Sequence, residues 1–294
     1  MNILITGSNG VLGSSILCEL KKSGYKVLTL KRKLVDWKGS IKNEILLRGV
    51  DIVIHCAANT DLELCERDLY KCFKDNLILT ELLAKAAEKN NAKFIFISST
   101  GVYGNYKKTS YFESDIARPT TYYHKSKLFA EMLVLERKNN LVIRTGWIFG
   151  GAINNKKNFV INRLKELKNG TSTLYANQDQ IGNPTYASDL SKVIVTLIQK
   201  NITGLYNCVG EAKASRYEYV KKIFELANVD INVEAKSKNY FKRLSEVSDN
   251  ESASNRKLNA ACSTKMPHWG KSLKCYIKII LSNPKVKRLI NEKS

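Results

Sequence analysis

The stretch that decides the fold of this 294-residue chain is Asn2-Ile3-Leu4-Ile5-Thr6-Gly7-Ser8-Asn9-Gly10-Val11-Leu12-Gly13. An apolar, strand-length run comes first, three glycines at intervals of three follow, and an apolar-periodic helix continues to about Lys22. Gly7 permits a tight turn, Gly10 lets the backbone approach a diphosphate, and Gly13 allows the helix to pack closely on the sheet. The helix N-terminus adds amide donors and the positive end of its dipole. A plain glycine turn is the alternative, but the strand–loop–helix context favours a dinucleotide-binding loop.

Strands and helices alternate through the first half of the chain. After the first helix, strands are predicted over 25–30, 51–57, 93–98 and 141–145, and helices over 67–90 and 122–138. The run at 51–57 is nearly continuous in apolar residues, as expected of a strand covered by helices on both faces. This order predicts βαβ units and therefore an α/β fold, namely a Rossmann-type, doubly wound parallel sheet.

The alternation weakens in the second half of the chain, where short helical patterns are mixed with polar loops. A helical pattern and a strand pattern return within 184–220. We therefore predict a cofactor-binding Rossmann domain over residues 1–150. Residues 184–220 are expected to return to this domain. Residues 151–183 and 221–294 are expected to form a smaller C-terminal substrate-binding lobe.

The end of the second predicted strand indicates which nicotinamide cofactor is bound. Rossmann domains that prefer NAD place a carboxylate there for the ribose 2′-hydroxyl, whereas this chain has Lys31-Arg32-Lys33. A basic cluster attracts a 2′-phosphate, so NADPH is expected, with NADH as the alternative cofactor. A solvated basic turn is the other explanation of the cluster. Asp36 is expected near the adenine, and Ala57-Ala58-Asn59 is expected to pack on the cofactor.

Four residues form the candidate catalytic group. Tyr123 and Lys127 are four residues apart on a predicted helix and therefore share one face. In that position Lys127 is expected to lower the pKa of Tyr123 and make it a usable proton donor. Ser99 ends a predicted strand at the carboxyl edge of the sheet, where ligands bind in such folds. Asn76, in the preceding helix, is expected to support the lysine through water.

These motifs together resemble the extended short-chain dehydrogenases/reductases, and within them the dTDP-4-dehydrorhamnose reductase family. The resemblance covers nearly the whole chain. The segments that carry the narrower resemblance are Ala57–Asp61 with Cys65-Glu66, Arg144–Gly150 followed by Asn158–Val160, Asp179–Tyr186 with Asp189-Leu190, and Pro267–Trp269 with Leu273.

The resemblance implies NADPH-dependent reduction of the C4 keto group of a nucleotide-activated 4-keto-6-deoxy sugar. By that resemblance Tyr123 donates a proton to the keto oxygen, Ser99 hydrogen-bonds the same oxygen, and Lys127 binds the nicotinamide ribose. Trp147 would line the sugar pocket, with ordinary packing as the alternative. The substrate-binding residues expected are Thr60, Thr100, Trp147, Asn158 and Phe159, the last two beside the nucleotide diphosphate. The cofactor-binding residues expected are Gly7, Asn9, Gly10, Val11, Leu12, Gly13, Lys31, Arg32, Asp36, Ala57, Ala58, Asn59, Tyr123 and Lys127.

The chain departs from the family pattern at one position and leaves two other functions open. Thr100 follows Ser99 where the rhamnose reductases usually have Asp, which bears on the sugar rather than on the reaction. A sugar-nucleotide 4,6-dehydratase is disfavoured, because Thr100-Gly101 cannot supply its acid/base pair. A nucleotide-sugar 4-epimerase remains an alternative, although the basic cluster suits its tightly held NAD poorly. A non-catalytic, dinucleotide-binding regulatory subunit is the alternative from another class, since fold alone does not decide function.

Composition limits the partners. The net charge is +21, but the basic residues are scattered and form no aromatic-interleaved motif, so no nucleic acid is expected. Attraction of an anionic cofactor and an anionic substrate is the favoured explanation. The basic segment 265–294 is expected to be a solvated helix face with a disordered end, and no stable membrane insertion is expected. Seven cysteines without a C-x-x-C pair indicate free thiols, no metal site and a cytoplasmic protein. A homodimer is left open.

Overall fold

A six-stranded sheet forms the centre of the computed structural model, which describes residues 1–30, 47–169 and 172–291. Its strand order is β2-β1-β3-β4-β5-β10, and every neighbouring pair is parallel. The predicted doubly wound Rossmann sheet is therefore confirmed. The strands are β1 Asn2–Thr6, β2 Lys26–Leu30, β3 Ile52–His55, β4 Lys93–Ser99, β5 Leu141–Thr145, β6 Ile148–Phe149, β7 Thr173–Asn177, β8 Ile181–Gly182, β9 Thr185–Tyr186, β10 Gly204–Asn207, β11 Ala214–Ser215 and β12 Asn232–Lys236.

Helices flank the sheet and build the second lobe. They are α1 Val11–Lys22, α2 Leu62–Arg67, α3 Leu69–Phe73, α4 Leu79–Lys89, α5 Tyr122–Leu135, α6 Phe159–Lys165, α7 Ala187–Gln199, α8 Arg216–Leu226, α9 Arg256–Ala261, α10 Trp269–Leu281 and α11 Pro284–Asn291. A π-helical turn (Lys74–Ile78) joins α3 to α4, and 3-10 turns cover Thr100–Tyr103, Glu166–Asn169 and Lys238–Tyr240. In the three described ranges, no helix has the length and apolar character needed to cross a bilayer.

The order of the strands creates a crevice beside β1. The chain leaves β1 to form β2 on one side and returns to form β3 on the other, so the direction of winding reverses there. Thr6 at the end of β1 is paired in register with His55 at the end of β3. Ligands of open α/β sheets bind at such switch points, beyond the carboxyl ends of the strands.

Two apolar layers cover the sheet because alternate strand residues point to opposite faces. Ile3, Ile5 and Ile54 pack with α1 and α7, whereas Leu4, Val53 and Phe96 pack with α4 and α5. All of these side chains are buried, as expected for a parallel sheet between two helical layers.

The second lobe has a hydrophobic core of its own, built from α6, α8, α10 and β7. The return of the chain to the sheet is visible in β10, which pairs with β5, and in α7, which packs on α1. Leu258, Cys262 and Met266 also lie in the core of the sheet, although they fall within the 221–294 segment assigned to the lobe. The domain bounds themselves stay a prediction.

The helix predicted over 67–90 is interrupted. Asp68 caps α3 by accepting a hydrogen bond from the Lys71 amide, and a π-helical turn then separates α3 from α4. Such turns insert one residue into a helix and are frequent at functional sites. The π-helical turn in this chain contains Asn76. The spacing of apolar residues along the sequence did not reveal the turn.

Candidate active site

The glycine loop folds tightly against the end of β3. Gly7 has φ +67°, and a Cβ there would lie 2.6 Å from the Ala57 amide nitrogen. A Cβ at Gly13 would overlap the Gly7 carbonyl oxygen. The closest constraint on Gly13 is therefore the loop itself, rather than the helix–sheet packing expected from the sequence. The loop can reach this geometry only with glycine at both positions.

The start of α1 is suited to an anionic ligand. Gly10 is the N-cap, no side chain caps the helix, and the first turn has no acidic residue. The first amide groups of a helix lack partners within the helix and bind phosphates well. The loop and this helix end thus fit the diphosphate of a dinucleotide.

Replacing Gly13 with alanine is expected to weaken both folding and dinucleotide binding. The added methyl group overlaps the Gly7 carbonyl, and overpacking of this kind costs about 1–3 kcal/mol. Thermal unfolding and NADPH titration by fluorescence measure the two effects. Ser15→Ala on the same helix, which removes one hydrogen bond to the Val11 carbonyl, is the matched control. Unchanged NADPH affinity in Gly13→Ala would show that the ligand does not sit on this loop.

A short polar chain links the ends of β1 and β3. The Ala57 amide donates to Thr6 Oγ1 at 3.2 Å, and Thr6 Oγ1 lies 2.7 Å from His55 Nδ1. Burial, and then the charge of Lys127, lower the pKa of His55 to about 3, so its imidazole is neutral. This chain fixes the backbone at Ala57, at the point where Ala57-Ala58-Asn59 turns away from the sheet. Lys31, Arg32 and Asp36 lie outside the described residues, so the predicted contacts with the 2′-phosphate and adenine stay predictions.

Asn76 holds the loop after β3. Its Oδ1 accepts from the Asn59 amide at 2.8 Å, and its Nδ2 donates to the Asn59 carbonyl at 3.1 Å and to Cys72 Sγ at 3.7 Å. These bonds use both N–H groups of the side chain. Asn76 therefore positions the Asn59 loop, and its predicted water-mediated support of Lys127 stays a prediction.

The helix α5, which carries Tyr123 and Lys127, packs on β4, which ends at Ser99, and on the 3-10 turn after it. Ser99 ends β4, and its Oγ accepts from the Gly101 amide at 3.2 Å. His124 occupies the space beside Gly101, where a Cβ would overlap its ring. The helix therefore docks against the turn that carries the serine.

Lys127 is buried on α5, with 2% of its surface exposed. Its Nζ lies 3.9 Å from the centre of the Phe96 ring. Burial lowers the pKa of Lys127 to about 7, although the charges of Glu131 and Cys56 act in the opposite direction. A lysine with this pKa changes its charge near neutrality, which is unusual and typical of functional sites.

Tyr123 is buried as well, and its pKa is raised rather than lowered. Burial is the main cause, and Cys65, Glu251 and Cys72 add to it. The expectation that Lys127 lowers this pKa is wrong for this structure, because the ammonium faces Phe96 and is not among the groups that shift Tyr123. A tyrosine with a raised pKa is fully protonated at neutral pH and so has a proton to donate.

A buried ion pair joins α5 to β5, and the sequence analysis did not find this pair. Arg144 on β5 donates from Nε to both oxygens of Glu131, at 3.1 and 3.0 Å, and from Nη2 to Oε2 at 2.6 Å. Glu131 follows Lys127 by one helical turn, so Tyr123, Lys127 and Glu131 are spaced i, i+4 and i+8. This spacing was the available sign of Glu131 in the sequence. It could not reveal Arg144, because Arg144 lies on another element, β5.

Trp147 follows β5 in an unusual backbone conformation, with φ +47°. Its Nε1 donates to Glu251 Oε2 at 2.8 Å, and the Arg216 guanidinium carbon lies 3.5 Å from the centre of its ring. Gly182 leaves the space that the ring occupies, since a Cβ there would overlap it. Bulky residues with positive φ are rare outside functional or strained sites. Arg216 and Glu251 were missed because nothing local marks them in the sequence.

The other expected substrate contacts differ in how well they fit. Asn158 is fully buried and caps α6, and its Nδ2 donates to the Tyr276 hydroxyl at 2.6 Å and the Ala152 carbonyl at 3.2 Å. No N–H of its side chain remains for a phosphate, so the expected diphosphate contact does not fit this position. Phe159 stacks on Tyr219, with the ring centres 5.1 Å apart, and stays partly exposed.

Two threonines complete the expected set. Thr60 is exposed, and its Oγ1 accepts from Lys157 Nζ at 2.5 Å. Thr100 is buried against Gly146, the residue before Trp147, because a Cβ at Gly146 would overlap Thr100 Oγ1. Thr100 thus packs against the residue that precedes the tryptophan.

Known proteins are similar to this chain in sequence and in architecture. The spore coat polysaccharide biosynthesis protein SpsK of Bacillus subtilis is 32% identical over 231 residues, 78% of this chain and 80% of that protein. A dTDP-4-dehydrorhamnose reductase of Aggregatibacter actinomycetemcomitans is 32% identical over 239 residues, covering 76% and 79% of the two chains. The crystal structure of the Bacillus anthracis dTDP-4-dehydrorhamnose reductase in complex with NADP superposes with a TM-score of 0.88 at 28% identity, over 95% and 99% of the two chains.

The family model described as the RmlD substrate binding domain matches residues 1–282. The match includes the phosphate loop, the Tyr123–Lys127 helix and the lobe that holds Arg216 and Glu251. The resemblance expected from the sequence motifs is confirmed. Because both lobes and the site between strand ends and α5 fall within the matched residues, this chain belongs to the RmlD substrate binding domain family.

Proposed function

We propose that the protein reduces the C4 keto group of a nucleotide-activated 4-keto-6-deoxy sugar with NADPH. The observation that carries this proposal is the buried Tyr123–Lys127 pair, docked on the Ser99 end of β4 in a chain of this family. The relatives named as dTDP-4-dehydrorhamnose reductases and the NADP complex of the Bacillus anthracis enzyme support both the reaction and the cofactor.

The residues of this chain have separate tasks in the reaction. The phosphate loop and the first amides of α1 hold the diphosphate of NADPH, which supplies the hydride to C4. Tyr123 donates its hydroxyl proton to the keto oxygen, and Ser99 Oγ hydrogen-bonds that oxygen and orients it. Lys127 binds the ribose hydroxyls of the nicotinamide half. The balance is one hydride to carbon and one proton to oxygen, which yields the alcohol and NADP⁺.

One measurement separates this function from its two alternatives. NADPH absorbance at 340 nm is followed with a panel of dTDP-, GDP-, CDP- and UDP-4-keto sugars, and the sugar product is identified by mass. A reductase consumes one NADPH for each sugar reduced. Turnover without net NADPH loss would instead identify an epimerase, and binding without turnover would identify a regulatory subunit.

Arg32→Ala is expected to narrow the preference for NADPH over NADH. The sequence places Arg32 in the basic cluster after β2, and loss of a charge-assisted hydrogen bond to the 2′-phosphate costs about 1–3 kcal/mol. Dissociation constants of both cofactors, measured for both proteins, test this. Equal affinities for NADPH and NADH in the unmutated protein would contradict the proposed role of the cluster.

We further propose a cytoplasmic location and a nucleotide sugar as the principal partner. The seven cysteines are all free, as expected in a reducing compartment. Among the described residues, no cluster of three or more His, Cys, Asp or Glu is placed to hold a metal ion. The strongly basic chain suits two anionic ligands, the cofactor and the nucleotide sugar.

A further inference from the structure

A carboxylate from the C-terminal part of the chain, that of Glu251, lies beside Trp147. Glu251 is 7% exposed and belongs to no helix or strand. Its backbone is nevertheless fixed, because its amide donates to the Ile181 carbonyl at 2.8 Å. Two residues further on, the Ala253 amide donates to Asn183 Oδ1 at 2.8 Å. The side chain is therefore presented from a rigid segment.

Glu251 contacts Trp147, the residue that the family resemblance places in the sugar pocket. Its Oε2 accepts from Trp147 Nε1 at 2.8 Å, and the same tryptophan ring carries the Arg216 guanidinium at 3.5 Å. Burial lowers the pKa of Arg216 to about 10, while the charge of Glu251 acts to raise it. A carboxylate, an indole and a guanidinium thus adjoin one another where β5 ends.

The charge of Glu251 also reaches the reaction centre. It raises the pKa of Tyr123, together with Cys65 and Cys72 from the neighbouring helices α2 and α3. It acts in the same direction on His124, whose ring centre lies 4.9 Å from that of Tyr123. Arg216, on the same tryptophan ring, supplies a countercharge for Glu251 within the fold. A sugar that packs on Trp147 would bring its polar groups beside this carboxylate.

We propose that Glu251 selects the sugar of the substrate by accepting a hydrogen bond from a ring hydroxyl or amino group and by repelling sugars that carry a carboxylate. This inference rests on the proposed function and deepens it. A hydrogen bond to an ionised acceptor is stronger than a neutral one. A like charge in a partly desolvated site penalises the wrong ligand, which is how an interface gains specificity. The favoured sugars are therefore neutral or amino sugars.

The test compares Glu251→Gln with the unmutated protein. The glutamine carbonyl still accepts from Trp147 Nε1, so only the charge is lost. Inhibition by dTDP-glucose and by dTDP-glucuronic acid gives the selectivity between a neutral and an acidic sugar. We expect the neutral-to-acidic ratio to fall by at least about tenfold, and kcat/KM for the neutral keto sugar to fall by about 10- to 100-fold, as for loss of a charge-assisted hydrogen bond.

Two further variants separate charge from structure. Glu246→Gln removes an exposed carboxylate from the same segment and is expected to keep the unmutated selectivity. Trp147→Phe removes the Nε1 donor and leaves the charge of Glu251, so the preference for the neutral sugar should persist. If Glu251 merely fixed Trp147, Trp147→Phe would lose the selectivity and Glu251→Gln would keep it.

The pH dependence of the reduction rate gives a second measurement. It would not change if Glu251 had only a structural role. Because the carboxylate raises the pKa of Tyr123, Glu251→Gln should shift the alkaline limb of the rate profile to lower pH. Cys65 and Cys72, which act on this tyrosine, and His124 and Lys127 on the same helix are unchanged in the variant.

The outcomes distinguish this inference from the proposed function. An unchanged selectivity ratio in a folded Glu251→Gln protein that still reduces the keto sugar would overturn the role of Glu251 alone. Absence of turnover with every 4-keto sugar in the panel would overturn the proposed function, and the inhibitor-binding ratio, measured then by direct titration, would still decide the role of Glu251.

Discussion

Replacing Tyr123 with phenylalanine is expected to lower the rate of keto-sugar reduction by about 10²–10⁴-fold, the usual contribution of a positioned proton donor. The substitution removes one oxygen from a buried ring and changes little of its packing. NADPH affinity should hardly change, because the phosphate loop and the residues after β2 are untouched. Steady-state rates with a verified substrate and NADPH titration by fluorescence give the two quantities.

Variants of three other residues separate the role of Tyr123 from the roles of Ser99 and Lys127. Tyr122→Phe changes the adjacent tyrosine of α5 and is expected to keep near-normal activity, which makes it the matched control. Ser99→Ala should lose less than Tyr123→Phe, because it removes a hydrogen bond to the keto oxygen but not the proton source. Lys127→Met should lose both rate and cofactor affinity. Near-full activity in Tyr123→Phe would show that another group donates the proton.

Replacing Glu131 with glutamine is expected to destabilise the protein by about 3–5 kcal/mol, the usual cost of leaving one partner of a buried ion pair without its counter-charge. Glu131 and Arg144 are 1% and 5% exposed, and Arg144 cannot shed its proton to compensate. Urea unfolding followed by circular dichroism measures the loss.

The exposed pair between Glu81 and Lys85 on α4 provides the comparison. Glu81→Gln removes the same charge from a helix surface and should change the stability by less than about 1 kcal/mol. In a folded fraction of Glu131→Gln, the pKa of Lys127 should fall below its value of about 7, because the carboxylate that raises it is gone. If the two variants lowered the free energy of unfolding equally, burial would not make the ion pair more important for stability.

The features that the sequence determined by itself are local ones. The phosphate loop, its strand and its helix are contiguous in residues 2–22, and the spacing of Tyr123 and Lys127 is set by one turn of helix. Periodicity along the chain predicts such elements, because the geometry of a strand or helix repeats every two or about 3.6 residues. The order of strands and helices then left a parallel, doubly wound sheet as the expected fold. The family resemblance added the role of Ser99 and the identity of the reaction.

The tertiary structure decided everything that depends on long-range contact or burial. Glu131 and Arg144 are 13 residues apart in the chain and Trp147 and Glu251 are 104 apart, so no local pattern connects them. The environment of Tyr123 was predicted with the wrong sign, because an i, i+4 spacing shows proximity but not burial. Asn158 has a sequence context that suggests a ligand contact, yet the fold uses its amide to cap α6 and to bind Tyr276. Hydrogen bonds and charge interactions strengthen when water is excluded, and only the packed chain determines which groups lose their water.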